Sequence, residues 1–142
     1  MTRRPQDQTA KDMALPLKQQ WIADELERLR AETEPVAREL PGEVQRIVRC
    51  IHEHLFDPDL RVKEICSRCR IRNHNASTRF RLAVGVGIRE YIEALRLDIA
   101  RRLLEQDRVE IYLIAMAVGY ACQETFCRAF SRRFGRTASS CR

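Results

Sequence analysis

The fold of this chain is decided by residues 111–136, which read IYLIAMAVGYACQETFCRAFSRRFGR. Apolar residues at positions 111, 114, 115 and 118 share one face of a short helix, and Gly119 can adopt the positive φ that ends a helix. A second helical stripe of apolar residues follows at positions 126, 129, 130 and 134, among polar and basic side chains. The stretch therefore predicts a helix-turn-helix whose second helix can enter the major groove of DNA.

The same pattern occurs a second time, earlier in the chain. The apolar stripe at positions 62, 65, 66 and 69 precedes the stripe of the opening stretch by 49 residues. The later pairs of corresponding positions, at an offset of 50 residues, are Ala76 with Phe126, Phe80 with Phe130 and Gly85 with Gly135. The chain therefore contains an internal repeat of about fifty residues, and each copy is predicted to be a helix-turn-helix.

Residues 88–106 lie between the two copies and are apolar over a wide helical arc. One stripe holds Tyr91, Ile92, Leu95, Ile99 and Leu103, and a second holds Leu97, Ala100 and Leu104. A helix with so wide an apolar surface packs on more than one side. We therefore predict a long helix that joins a first helix-turn-helix at about 60–86 to a second at about 109–136, within a DNA-binding domain that spans 44–142.

Residues 1–43 precede this predicted domain as an arm and a linker helix. Residues 1–17 are polar and without a clear period, which predicts a disordered arm. Residues 18–34 form an amphipathic helix in which Ile22, Leu26 and Leu29 share a face, beside Trp21. Two roles stay open for it: a docking helix, or a dimerisation helix that joins two copies as a homodimer. The predicted fold class is all-α.

The net charge of +6 is unevenly distributed along the chain. Residues 1–43 hold 7 Lys+Arg and 9 Asp+Glu, a balance of −2, whereas residues 44–142 hold 19 and 11, a balance of +8. Lys63 is the only lysine among those later cations, and arginine suits planar contacts to phosphate and guanine. A basic excess confined to the helix-turn-helix region agrees with a nucleic-acid partner, although a solvated basic surface would look the same.

The six cysteines at positions 50, 66, 69, 122, 127 and 141 do not predict a disulfide framework. The chain opens without an apolar export signal and contains no apolar run long enough to span a membrane. We therefore expect a cytoplasmic protein with reduced thiols. Cys66-Ser-Arg-Cys69 resembles half of a zinc site, but no second pair stands at a suitable spacing, so burial of Cys66 is the simpler interpretation and no metal is expected.

The repeat and the central run Arg96-Leu97-x-x-Ala100-x-x-Leu103-Leu104 resemble the DNA-binding domain of the AraC/XylS family of bacterial transcription regulators. The resemblance covers about residues 44–142, and two motifs in register around one helix make it specific. It implies two helix-turn-helix subdomains that place recognition helices in successive major-groove segments of double-stranded DNA, about 34 Å apart. It also implies RNA polymerase as a partner and no cofactor.

The chain departs from the family pattern at three places. Arg70 stands where the family usually has a glycine in the first turn, and Thr78 stands where its first recognition helix usually has an arginine. The closing segment Gly-x-x-Pro-x-x-Tyr-Arg becomes Gly135-Arg-Thr-Ala-Ser-Ser-Cys-Arg142. These departures predict that the first recognition helix contributes more to binding affinity than to discrimination between base sequences.

The two recognition helices supply the predicted site residues. Arginine can pair bidentately with guanine, glutamine with adenine, and glutamate can accept from cytosine. The predicted base-reading residues are His74, Asn75, Ser77, Thr78, Gln123, Glu124, Thr125 and Arg128. The predicted phosphate contacts, which set affinity and register, are Arg72, Asn73, Arg79, Arg81, Arg132, Arg133 and Arg136.

The same residues bear on two classes of protein other than a regulator. An enzyme is not expected, because the chain has no phosphate-binding glycine loop and its His52-Glu53-His54 triplet lacks the spacing of a helical metal pair. A diverged interaction module, or a thiol- or zinc-dependent sensor that has lost specific DNA binding, remains the alternative. Binding to random duplexes at low salt separates the alternative from the regulator.

Overall fold

The structure, a computed structural model, describes residues 14–32, 39–72 and 75–141. These residues form seven α-helices and no strand, which confirms the all-α fold. The helices are α1 (Leu15–Glu32), α2 (Gly42–Glu53), α3 (Val62–Arg68), α4 (Ala76–Val84), α5 (Ile88–Glu105), α6 (Ile111–Ala117) and α7 (Gln123–Phe134), followed by a 3₁₀ turn at Ser139–Cys141. Most of the predicted arm, residues 1–13, lies outside the described residues. No helix in the described ranges has the length and apolar character that a membrane span requires.

The internal repeat is visible in the backbone of the two turns. The N–H of Ile71 donates to the carbonyl of Cys66 at 2.9 Å, and the N–H of Tyr120 donates to the carbonyl of Ala115 at 3.0 Å. This six-to-one hydrogen bond closes a helix end and needs a positive φ at the residue before the donor. That residue is Gly119 in the second turn, with φ 110°, and Arg70 in the first, with φ 54°. The first turn therefore keeps the positive φ of a glycine turn, although an arginine occupies the position.

We expect Arg70→Gly to raise the free energy of unfolding by about 1 kcal/mol, because a left-handed backbone costs a side-chain-bearing residue about 1–2 kcal/mol and glycine recovers most of it. Chemical denaturation of the full chain measures the change. Arg72→Gly is the matched control, since Arg72 is also an exposed arginine of this loop and its φ is not positive. It should give no gain, and an equal gain in both variants would contradict the argument.

Helix α5 is the centre of the fold. It contacts α1, α4, α6 and α7, so its wide apolar surface packs on more than one side, as predicted. Leu97 and Ile99 are buried on it, as are Leu103 and Leu104. Phe80 of α4 and the pair Phe126 and Phe130 of α7 are also fully buried, so each recognition helix is anchored by an aromatic side chain at corresponding positions of the repeat. The predicted linking helix between two helix-turn-helix motifs is thus confirmed.

Arg96 ties α5 to both halves of the domain. Its Nε donates to the carbonyl of Leu55 at 2.8 Å, and its Nη2 donates to the carbonyl of Asp57 at 2.7 Å, both in the turn after α2. The guanidinium also lies against Gly119, where an added Cβ would stand 2.8 Å from the Arg96 Cζ. Burial lowers the pKa of this guanidinium, but an arginine keeps its charge in proteins. One side chain thus connects the first half of the domain to the turn of the second.

The helix predicted at 18–34 runs from Leu15 to Glu32. Its apolar stripe of Ile22, Leu26 and Leu29 is buried within the chain, and the helix packs against α5 and α6. This placement matches the predicted docking helix. The same stripe is therefore not available as a dimerisation surface in this conformation, and a homodimer would have to use other residues of the helix.

Candidate nucleic-acid interface

Helix α7 presents a polar face to solvent because its apolar face is fixed in the core. The helix begins after Cys122, whose backbone is extended, and ends at Gly135, whose φ is 68°. Phe126 packs edge-on against Tyr120 at a ring-centroid distance of 5.5 Å, and Phe130 is fully buried. These contacts fix the rotation of α7 about its own axis, so the opposite face must point outward.

That outward face carries the four base-reading residues predicted in the second copy. Gln123, Glu124, Thr125 and Arg128 are all exposed. Glu124 and Thr125 precede Arg128 by four and three residues, which places the three side chains on one face of the helix. Among the ion pairs of the described residues, none involves Arg128. Its guanidinium is therefore free to meet a base edge.

The first recognition helix differs at its start. Helix α4 begins at Ala76, after Asn75, which has a left-handed backbone with φ 66°. The residue that corresponds to Asn75 in the repeat is Thr125, which lies in the first turn of α7. Ser77 and Thr78 are exposed on α4, whereas His74 and Asn73 lie outside the described residues. Asn75 is thus presented from a turn, and the first copy has a shorter recognition helix of 9 residues against 12.

The predicted phosphate contacts fall into two groups. Arg133 forms a bidentate ion pair with Asp98, with Nη2 at 2.9 Å from both carboxylate oxygens. Arg79 forms a second bidentate ion pair, with Glu43, in which its Nε lies 2.8 Å from Oε2. This contact holds the pKa of the Glu43 carboxyl below its usual value. A phosphate would have to compete with these carboxylates for the guanidinium donors.

The remaining predicted phosphate contacts are more available. Arg81 and Arg132 approach a carboxylate only at 3.6 Å, from Glu90 and Glu93 respectively. The side chain of Arg132 is 76% exposed. Arg72 and Arg136 are also exposed. These four arginines lie on or beside the two recognition helices, and their contact with phosphate stays a prediction.

Three basic residues outside the predicted site set line a groove beside α7. The groove has a volume of about 810 Å³, and Arg61, Lys63 and Arg89 line it together with Thr125 and Arg132. A second groove of about 520 Å³ shares Val62 and Arg89 with it and reaches Ser77, Thr78 and Arg81 of α4. The two grooves adjoin at these shared residues, and together we call them the central groove; Glu90 and Glu93 line it beside the cations. Arg61 and Lys63 lie at the start of α3 and Arg89 lies on α5, so the packing of the helices brings Arg89 to the same groove as the other two.

The cysteines show no arrangement of a metal centre. In the described ranges, no three His, Cys, Asp or Glu side chains are grouped so that they could hold an ion. Cys66 is buried, as its position in the repeat predicted, and burial raises the pKa of its thiol. Burial and the neighbouring Cys69 raise the pKa of Cys50 to about 11. Both thiols are therefore protonated near neutral pH, the form that is a poor metal ligand and nucleophile.

Comparisons with known proteins agree with this geometry. Residues 65–142 match the family described as helix-turn-helix domain. Regulatory protein SoxS of Salmonella typhimurium is 32% identical over 99 residues, which cover 70% of this chain and 92% of that protein. The Msm operon regulatory protein of Streptococcus mutans is 28% identical over 99 residues, which cover 70% of this chain but only 35% of that protein.

Solved structures show the same fold. The C-terminal domain of AraT, a response regulator from Geobacillus stearothermophilus, superposes with a TM-score of 0.71 at 24% identity, over 73% of this chain and 86% of that one. The DNA-binding domain of AdpA, a global transcriptional factor solved in complex with a target DNA, gives a TM-score of 0.64 at 21% identity, over 70% of this chain and 89% of that one.

Two helix-turn-helix motifs around one linking helix, with exposed polar recognition faces, define a sequence-specific DNA-binding transcription regulator. The chain belongs to the AraC/XylS family of such regulators.

Proposed function

We propose that this regulator reads two successive major-groove segments on one face of the duplex, and that α7 supplies most of the discrimination between bases. The observation that carries the proposal is the exposed face of Glu124, Thr125 and Arg128, on a helix whose rotation is fixed by buried aromatic residues. In this arrangement Arg128 pairs with a guanine, Gln123 with an adenine, and Glu124 accepts from a cytosine.

The first recognition helix contributes in a different way. Ser77 and Thr78 are short, exposed side chains on α4, and Asn75 extends from the turn before it. None of them can make the bidentate contact that an arginine makes to guanine. We therefore assign to α4 a larger share of the phosphate grip and a smaller share of the sequence preference. His74 and Asn73 keep their predicted roles as base and phosphate contacts.

The phosphate contacts are assigned by availability. Arg72, Arg81, Arg132 and Arg136 lie beside the recognition helices, and the central groove adds Arg61, Lys63 and Arg89. The backbone between the two major-groove segments can follow this groove. Arg79 and Arg133 are the weakest candidates, because a contact to phosphate competes with their carboxylate partners.

Arg128→Ala tests the base assignment. We expect the variant to lose preference at one base pair of the selected motif and to bind the preferred duplex with about 1–3 kcal/mol less free energy. In vitro site selection and competition binding measure the two effects. Arg28→Ala is the matched control, because Arg28 is an exposed arginine on α1 whose ion pairs are with Glu25 and Glu32 of the same helix. A motif unchanged in the Arg128 variant would remove Arg128 from the reading surface.

The proposal as a whole is tested with the full chain and duplex DNA at several salt concentrations. Site selection should return a motif of two blocks about one helical turn apart. The binding constant should fall with salt, with a logarithmic slope of about −0.9 for each phosphate contacted. An absence of binding even at low salt would overturn the proposal and favour an interaction module.

We further propose a cytoplasmic location, RNA polymerase as a partner and no catalytic role, which is supported by membership of a family of transcription regulators. A homodimer remains a prediction. The exposed Leu15 and Leu17 at the start of α1 are the apolar residues that such a contact could use, because the stripe of Ile22, Leu26 and Leu29 is buried.

A further inference from the structure

Helix α1 lies before the residues that match the family, yet it contacts both halves of the DNA-binding domain. Its C-terminal end is fixed to the first half. The Arg30 guanidinium donates to the carbonyls of His52 at 3.1 Å and Glu53 at 3.2 Å, at the end of α2. Carbonyls at the end of a helix lack partners within the helix and carry partial negative charge. The partial negative charge of these two carbonyls therefore stabilises the Arg30 cation.

The N-terminal end of α1 is fixed to the second half. Lys18 forms an ion pair with Glu110, the residue that precedes α6, and the Lys18 side chain is only 12% exposed. The Glu110 side chain is 45% exposed, so only the lysine end of the pair is shielded, and salt weakens the pair less than it weakens a fully exposed one. The Arg108 guanidinium lies over the Trp21 ring, 5.8 Å from its centroid, within the range of a cation–π contact.

The middle of α1 packs along α5. Ile22, Leu26 and Leu29 are buried there, and Gln106 donates to Glu25 at 3.1 Å. A further ion pair joins Glu32 to Arg102 at 2.7 Å. A helix rises about 1.5 Å per residue, so Lys18 and Arg30 are about 18 Å apart on a rigid rod. The rod connects the end of α2 with the start of α6 across the linking helix.

We propose that α1 is an intramolecular brace that fixes the orientation of the second helix-turn-helix relative to the first, and thereby sets the spacing of the two DNA blocks that the chain binds best. Lys18 and Trp21 are its positioning residues at the second half, and Arg30 is its positioning residue at the first. The proposal rests on the proposed function, because it concerns two recognition helices on one duplex. Those helices can bind together only when their separation and orientation match the DNA.

The brace affects DNA binding by changing the effective concentration of the second recognition helix at its DNA segment. When one recognition helix is bound, the second meets its segment in an intramolecular step, and the gain in affinity depends on the geometry of the connection. A second half that can rotate about α5 spends less time in the matching orientation. Loss of the brace should therefore weaken binding to a two-block duplex and leave binding to a single block unchanged.

The first arm of the test uses the free full chain in solution. Residual dipolar couplings of the backbone amides compare the orientation of residues 42–87 with that of residues 109–141. The double variant Lys18→Gln/Trp21→Ala cuts the brace at the second half, Lys18→Arg keeps the cation, and Arg28→Gln removes a cation whose ion pairs stay within α1. We expect one common alignment tensor for the native chain and both controls, and two different tensors for the double variant.

The second arm measures affinity for two duplexes, one with both selected blocks and one with only the block that α7 reads. The double variant should bind the two-block duplex about ten-fold more weakly than the native chain and the single-block duplex equally well. Lys18→Gln alone should shift both readouts in the same direction, and it carries the test if the double variant does not fold. Couplings that fit one tensor in every folded variant would overturn the brace. A native chain without preference for two blocks would instead overturn the proposed function, and the couplings would still decide on the brace.

Discussion

Arg96→Met is expected to lower the free energy of unfolding by about 3–4 kcal/mol, because hydrogen bonds to a charged group contribute about 1.5–3 kcal/mol each. The variant removes both of the bonds that Arg96 makes, to the carbonyls of Leu55 and Asp57. It also leaves those carbonyls without the partner that the native chain gives them. Methionine keeps a flexible apolar stem of similar length, so the loss reports the guanidinium rather than a large cavity.

Chemical denaturation measures the effect, and Arg101→Met is the matched control. Arg101 is an arginine of the same helix whose side chain is 46% exposed and whose contacts are a 3.7 Å ion pair with Glu105 and the ring of Phe134. Exposed pairs contribute little, so the control should lose about 1 kcal/mol or less. Equal losses in the two variants would mean that the carbonyl contacts of Arg96 do not stabilise the fold.

The second large effect is expected for Gly119→Ala, which should lower the free energy of unfolding by about 3 kcal/mol. Part of this loss, about 1–2 kcal/mol, is the cost of a left-handed backbone in a residue with a Cβ. The rest arises because the new Cβ would stand 2.8 Å from the Arg96 Cζ and 3.0 Å from its Nε. Arg96 cannot move away freely, since its guanidinium is held by the carbonyls of Leu55 and Asp57.

Gly135→Ala isolates the backbone part of this loss. Gly135 also has a positive φ, 68°, but a Cβ there would meet nothing within 4 Å. The control should therefore lose only the conformational cost, about 1–2 kcal/mol. If Gly119→Ala lowered the free energy of unfolding no more than Gly135→Ala does, the contact of the new Cβ with Arg96 would not contribute to the loss.

The two positions should also be coupled. In the double variant Arg96→Met/Gly119→Ala, the new methyl group contacts a flexible side chain instead of a fixed guanidinium. The double variant should therefore lose less stability than the sum of the losses of the two single variants. Residues in contact commonly show a coupling of about 0.5–3 kcal/mol in such a cycle. Additive losses would contradict a direct contact between the guanidinium and the turn.

Much of the interface follows from the sequence because it depends on local periodicity. The offset of 49 residues makes Cys66 and Ala115 corresponding positions of the repeat, and both are buried. The stripe in α7 placed Phe126 and Phe130 in the core, and the remaining positions of a helix must then face outward. The exposure of Gln123, Glu124, Thr125 and Arg128 follows from the same 3.6-residue period.

The sequence could not indicate which cations are already paired. Arg133 and Asp98 are 35 residues apart, and Arg79 and Glu43 are 36 apart, so no local pattern connects them. Arg89 is likewise far from Arg61 and Lys63 in the sequence, and it joins them only where residues of α3, α5 and α7 line one groove. Long-range ion pairs and grooves depend on how helices pack, and helix periodicity does not encode that packing.

The sequence by itself determined the class of fold, the two helix-turn-helix motifs and the face of α7 that meets solvent, because each rests on residues close together in the chain. Tertiary structure alone decided that Arg70 takes the glycine conformation, that Arg96 lies against Gly119, and that α1 spans both halves. Those features join residues up to 92 positions apart, as Lys18 and Glu110 are. Only the packed helices bring such residues within reach of one another.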